Sequence, residues 1–190
     1  MKCSPGFLRN RILPFAIAAG AVLLDQFTKW LAVLYLKPVS SVPLWQDVFH
    51  LTFRTNRGAA FSLFAEDGQR WIFLTVSTLT ILFLIGYLLR GPVGSPLFTS
   101  ALGMVLGGGI GNMIDRLTTG EVVDFFDFCL IHFPVFNVAD CFVTIGAALL
   151  ILSLFLDGWT TDPHTKKQKQ AETESDMSSA PSSPHPEDPV

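Results

Sequence analysis

The chain has 190 residues, 49% of them hydrophobic and only 15% charged, with a formal net charge of -3 and a mean hydropathy of +0.44. This composition fits a membrane protein, excludes a soluble globule with a charge-rich surface, and leaves no basic stripe for nucleic acid. The cysteines, Cys3, Cys129 and Cys141, are odd in number and irregularly spaced, which argues against a disulfide framework or a zinc site.

Lys2, Arg9 and Arg11 precede an apolar segment from about Ile12 to Leu36. It is the first of four segments that can span a bilayer, which takes about 20 helical residues. Its opening half also fits a cleavable secretory signal, yet apolar character resumes after Lys29, which a signal would not need. Asp25 and Lys29 lie four apart, the spacing of an ion pair along one helix face. They read either as a pair that fixes helix packing or as a brace for a polar cavity, and both readings require an inward face.

The loop from Lys37 to Arg70 is not purely polar. Phe49, Leu51 and Phe53 alternate with His50, Thr52 and Arg54, a period of two that predicts a strand. Asn56-Arg57-Gly58 supplies a turn, and Ala59 to Phe64 is expected to return as a second strand. The second apolar segment runs from about Trp71 to Leu89 and the third from about Pro96 to Ile114. Gly103, Gly107 and Gly111 repeat every four residues in the third, a spacing that lets another helix approach closely. Asn112 and Arg116 follow, with Asp115 between them. They are either a polar rim in which Asp115 partners Arg116, or groups that orient others in a shared pocket.

A second alternation, Glu121 to Phe128, lies in the segment from Thr118 to Phe136, where Asp124 interrupts a Val-Val-Asp-Phe-Phe run. The fourth apolar segment runs from about Val138 to Leu156. Asn137 suits the N-cap of that helix, and an acid at Asp140 suits its dipole. From about Asp162 the chain is rich in Ser, Pro, Glu, Lys and Gln. It cannot bury enough apolar surface to offset its ordering entropy, so residues 162–190 are expected to form a disordered tail after a membrane domain of residues 1–161.

An even number of spans puts both termini on one side. Lys2, Arg9, Arg11, Arg90, Lys166, Lys167 and Lys169 stand on that side, against Lys37, Arg54, Arg57, Arg70 and Arg116 on the other. The bias assigns the termini to the cytoplasm.

Carboxylates are expensive at membrane depth, so Asp124 and Asp140 are functional-site candidates. Two carboxylates brought together can hold one proton between them, one acting as base and the other as acid. Asp140 has a structural rival reading as part of a helix cap. A Cys141/His132 couple is a weaker nucleophilic alternative, and the four histidines show no metal-ligand spacing. A four-span proton-coupled transporter with Asp25, Lys29, Asp124 and Asp140 as a relay is the competing function, though internal repeats are lacking.

Five motifs stand in order: Asp25-Gln26-Phe27-Thr28-Lys29, Thr55 to Ser62, Gly108 to Arg116, Val122-Val123-Asp124-Phe125 and Phe136-Asn137-Val138-Ala139-Asp140. With the four spans, they resemble signal peptidase II, the bacterial lipoprotein signal peptidase family, from roughly Asp25 to Leu156. The resemblance implies an all-α membrane protein: four transmembrane helices with a small extracytoplasmic β element in the first outer loop. It implies an aspartic endopeptidase of the bacterial inner membrane that cuts diacylglyceryl prolipoproteins just before the lipidated cysteine, near the outer face. Asp124 and Asp140 match the catalytic pair, and Asn56, Gly58, Asn112, Arg116 and Asn137 match the polar residues around it. Asp25 and Lys29 match a supporting pair. Neither a metal nor an organic cofactor is implied, and one chain contains every part needed for activity as a monomer.

Overall fold

A computed structural model describes residues 5–56, 66–92 and 94–161. Gly58, the returning strand expected at Ala59 to Phe64 and the tail from residue 162 lie outside the described residues. The chain divides into two compact units, Met1–Ile151 and Leu152–Val190. Of the second, the described part is the end of the last helix.

The architecture is mostly helical, with one small sheet. Helix α1 spans Pro5–Leu31 and continues as a π-helical turn, Ala32–Leu36. Strands β1 (Ser41–Trp45) and β2 (Phe49–Asn56) follow, then α2 (Glu66–Arg90), α3 (Pro96–Thr118), β3 (Val122–Asp127) and α4 (Val138–Thr161). Among the described residues, three helices are long and apolar enough to cross a membrane: Arg11–Leu36, Pro96–Thr118 and Val138–Leu156. In α2 the qualifying stretch, Leu74–Arg90, is shorter.

Large apolar side chains point outward along the helices, among them Leu23, Trp30, Leu82, Phe83 and Ile145. Polar Asp25 and Lys29 are instead buried, at 0% and 3% exposure. That inversion is how a helix meets lipid on one side and conceals its charges on the other.

Helices α1 and α3 form the main seam, and small residues allow it. A Cβ on Gly107 would stand 2.7 Å from the Ala18 carbonyl oxygen and from the Ala21 Cβ. Beside the seam, Ala18, Ile81, Leu84, Leu88, Leu102 and Leu106 make the helical core. Ser95 starts α3 as its N-cap, accepting from the Phe98 N–H at 3.3 Å, with Pro96 in the first turn. Arg11 donates to the carbonyls of Leu88 and Gly91, which satisfies the end of α2.

The third helix extends past the expected end at about Ile114 to Thr118, so Asp115 and Arg116 join Asn112 in its last two turns. Hydropathy fades there, but the backbone continues because those polar side chains find partners.

The sheet is antiparallel in the order β1-β2-β3. It is therefore not confined to the first outer loop, since its third strand comes from the segment between α3 and α4. The strand expected from Phe49 is β2, and its neighbours are β1 and β3. Asp47 sits in the β1–β2 turn at φ 59, a left-handed conformation that aspartate tolerates. Leu51, Phe53, Val123 and Phe126 pack with Phe125 against Ala32 and Leu36, seating the sheet on the end of α1.

Candidate active site

The site lies where the end of α1, the end of α3, the start of α4 and strand β3 meet. Asp124 is at the third position of β3 and is 3% exposed. Asp140 is in the first turn of α4. The backbone between them fixes their relation: Phe126 and Phe136 exchange hydrogen bonds of 2.8 and 3.1 Å, and the Phe125 N–H also donates to the Phe136 carbonyl at 3.0 Å. Asp124 immediately precedes this clamp and Asn137 immediately follows it.

Asn137 is fully buried and touches both acids. Its Nδ2 donates to Asp124 Oδ1 at 2.7 Å and to Asn112 Oδ1 at 3.0 Å. Its Oδ1 accepts from the Asp140 backbone N–H at 3.0 Å, while its own backbone N–H donates to Asp140 Oδ2 at 3.2 Å. That reciprocal pair is a capping box with an aspartate in the place usually taken by Glu or Gln. The cap reading of Asp140 is thus correct, and the cap ties Asp140 to the residue that also bonds Asp124. Asn112 completes the link, its Nδ2 donating to Asp140 Oδ1 at 2.7 Å.

Behind the acids lies a buried cation. The Lys29 ammonium has three N–H donors, and three acceptors surround it at 2.9 Å: Asp25 Oδ2, Asp115 Oδ2 and Asn112 Oδ1. The expected Asp25–Lys29 pair is formed, with Asp115 as a second carboxylate. Asp25 also reaches α4, since its Oδ1 accepts from the Ala139 N–H at 2.9 Å and satisfies one of the orphan donors of that helix start. The space is closed by glycine: a Cβ on Gly111 would stand 2.5 Å from Asp25 Oδ2.

Asp115 and Gln26 are the residues that sequence reasoning did not place in the site. Asp115 was expected beside Arg116. Its carboxylate accepts from Lys29, from Gln26 Nε2 at 2.9 Å and from the Val123 N–H at 3.1 Å. It therefore holds the strand residue next to Asp124. The available signal was its position one helical turn beyond Asn112. Arg116 donates to the Asn112 carbonyl at 3.3 Å, and its charge acts on Asp140, Asp124 and Asp115.

Burial, and next the charge of Asp140, push Asp124 up from the ordinary 3.8 to about 6. Hydrogen bonds from Asn137 and Asn56 and the charge of Lys29 oppose that rise. Asn56 is thereby also a partner of Asp124. Asp124 lines an open cavity of about 430 Å³, together with Arg54, Asn56, Asp127, His132 and Phe133. The structure therefore brings together Asp25, Lys29, Asn56, Asn112, Asp124, Asn137 and Asp140, with Arg116 in electrostatic reach. Among the described residues, no group of three or more His, Cys, Asp or Glu side chains is arranged to hold a metal ion.

The chain is similar to known proteins in sequence and in fold. A profile of the family described as Signal peptidase (SPase) II matches residues 17–156, a range that includes every residue of the network. The chain is 48% identical over 144 residues to the lipoprotein signal peptidase of Brevibacillus brevis, covering 76% of this chain and 95% of that one. It is 46% identical over 141 residues to the lipoprotein signal peptidase of Halothermothrix orenii, covering 74% and 94%. Among solved structures it is similar to a bacterial membrane enzyme determined by the in meso method at 1.9 Å resolution, with a TM-score of 0.67, 31% identity, and coverage of 74% of this chain and 91% of that one.

Proposed function

The chain belongs to the signal peptidase II family, and we propose that it removes signal peptides from diacylglyceryl prolipoproteins as an aspartic endopeptidase with Asp124 and Asp140 as its catalytic pair. The observation that carries this reading is the double engagement of Asn137, whose side chain and backbone hydrogen-bond both carboxylates.

In this reading a water between the acids attacks the carbonyl carbon that precedes the lipidated cysteine. Asp140 takes the proton of that water. Its anion is served by N–H groups of Asn112 and Asn137 and by the positive end of the α4 dipole. Asp124, whose carboxyl burial raises to about 6, enters this step protonated and gives its proton to the carbonyl oxygen as charge develops there. The tetrahedral intermediate then collapses. Asp140 protonates the cysteine nitrogen, the C–N bond breaks, and a hydroxyl proton returns to Asp124. The products are a signal peptide ending in a carboxylic acid and a lipidated cysteine with a free amino group. Arg116 offsets the negative charge of the pair, and Asn112 and Asn137 hold the acids in register.

The same reading sets the orientation. α1, α2, α3 and α4 are taken as four spans, with both termini in the cytoplasm and the site at the outer face of the inner membrane. All network residues on helices lie at one end: late in α1, late in α3 and at the start of α4. Alternating passage puts those ends on one side, opposite the side with more lysine and arginine. A single chain supplies every group in the network, which supports activity as a monomer. The transporter alternative has no support in the family relationship.

The test uses purified protein with a diacylglyceryl prolipoprotein. Asp124→Asn and Asp140→Asn should each lower the cleavage rate at least about 100-fold, the usual worth of a general acid or base. Cleavage at the wild-type rate by either folded variant would rule out the paired-acid mechanism.

A further inference from the structure

Arg54 and His132 have no assigned role, yet both line the cavity beside Asp124. Neither side chain makes a hydrogen bond or ion pair among the described residues. Arg54 stands directly opposite Asp124 in the β2–β3 ladder. Residues opposed in this way have Cβ atoms about 5 Å apart on the same sheet face. His132 closes the short helical turn Cys129–Ile131 in a left-handed conformation, φ 50, held by its N–H donating to the Cys129 carbonyl at 3.2 Å. By contrast, Asp127 in the same cavity already accepts from the Thr52 hydroxyl at 2.8 Å. The cavity thus presents two side chains with unengaged donors, Arg54 and His132, on the side of the site built by the sheet.

We propose that this cavity receives the mature segment of the substrate just after the lipidated cysteine, and that Arg54, with His132, makes a carboxylate side chain there favourable. The proposal rests on the peptidase reading and adds a specificity to it. The apolar signal peptide and the acyl chains belong with the helices and lipid. The polar segment leaving the membrane needs acceptors and donors like those of the cavity. An extended peptide advances about 3.3 Å per residue, so the Cα of the residue following the cysteine lies about 5 Å beyond the scissile bond. An arginine that begins about 5 Å from Asp124 and extends outward reaches that position. Peptide carbonyls of the same segment would occupy the remaining N–H groups.

The experiment measures kcat/KM for lipidated substrates that differ only in the residue after the cysteine: aspartate, serine or lysine. Arg54 is exposed, so its contribution is modest, about fivefold between aspartate and lysine at low salt. The ratio should shrink as salt rises. In Arg54→Glu the preference should reverse, in Arg54→Gln it should fall toward one, and in Arg54→Lys it should persist. Each enzyme serves as its own reference, because the readout is a ratio between substrates. An unchanged preference in both the Glu and Gln variants, or equal rates for all three substrates in the wild type, would overturn the proposal while leaving the peptidase reading intact. Absence of cleavage of any substrate by the wild type would instead overturn the peptidase reading.

Discussion

Asp124→Asn should abolish cleavage and, at neutral pH, strengthen the fold. Asp124 is 3% exposed, and its folded state titrates near 6 rather than at 3.8. Below about pH 4 the side chain is neutral in both folded and unfolded protein, and no stability is at stake. Between about 4 and 6 the unfolded chain has released the proton while the folded protein still retains it, so the wild type loses stability as pH rises. Above about 6 both forms are ionised and the loss is complete. A rise of about two in pKa, at about 1.4 kcal/mol each, puts that loss near 3 kcal/mol. Asparagine does not titrate, so its advantage over the wild type should open between pH 4 and 6 and then level off. The hydrogen bond from Asn137 Nδ2 can persist, because an amide oxygen stands where Oδ1 accepts at 2.7 Å. Any mismatch with the donor from Asn56 adds a cost that does not vary with pH. The assay is unfolding of both proteins in detergent micelles at a series of pH values, read as the difference between them. A difference that stays flat from pH 4 to 7.5 would refute the claim that ionising the buried Asp124 costs the fold stability.

Two further substitutions probe the network behind the acids. Lys29→Met removes the cation that three acceptors share and leaves Asp25 and Asp115 facing one another without it. Breaking such a buried pair costs about 3–5 kcal/mol. The loss is measured by chemical unfolding in micelles, and adding Asp115→Asn should recover part of it. Gly111→Ala would drive a methyl group against Asp25 Oδ2, which stands 2.5 Å from the Cβ position. Overpacking of this kind costs about 1–3 kcal/mol. Because Asp25 also holds the Ala139 N–H, cleavage should fall with stability, as seen by assaying the same preparations.

Three helices long and apolar enough to cross a membrane were readable because long apolar runs announce them, and the Asp25–Lys29 pair because a helix brings residues four apart together. The end of α3 was missed for the opposite reason, since Asn112, Asp115 and Arg116 look like a boundary to any hydropathy average. β1 carries Pro43, which suits an edge strand but hides the alternation. The partner of β2 was sought in the next few residues, whereas β3 lies nearly seventy positions downstream. Alternation reveals that a strand exists and on which face its apolar residues fall. It contains no address for the neighbour. The same limit hid Asp115, whose value comes from reaching Lys29 on one helix and the Val123 N–H on a strand.

At Asp140 the structural and catalytic readings describe the same bonds. Asn137 caps α4 through its Oδ1, and Asp140 completes the cap through its Oδ2. The other functional atoms of these residues, Asn137 Nδ2 and Asp140 Oδ1, point toward Asp124 and Asn112. A helix start therefore spends one edge of each polar side chain on its own orphan backbone groups and offers the other edge to the site. Rotation of either side chain would break the cap, so the capping bonds also restrict the rotamers that chemistry needs. The arrangement explains why an acid can stand at the head of a membrane helix. Donors fixed by the fold face its carboxylate, and an open cavity lies against Asp124.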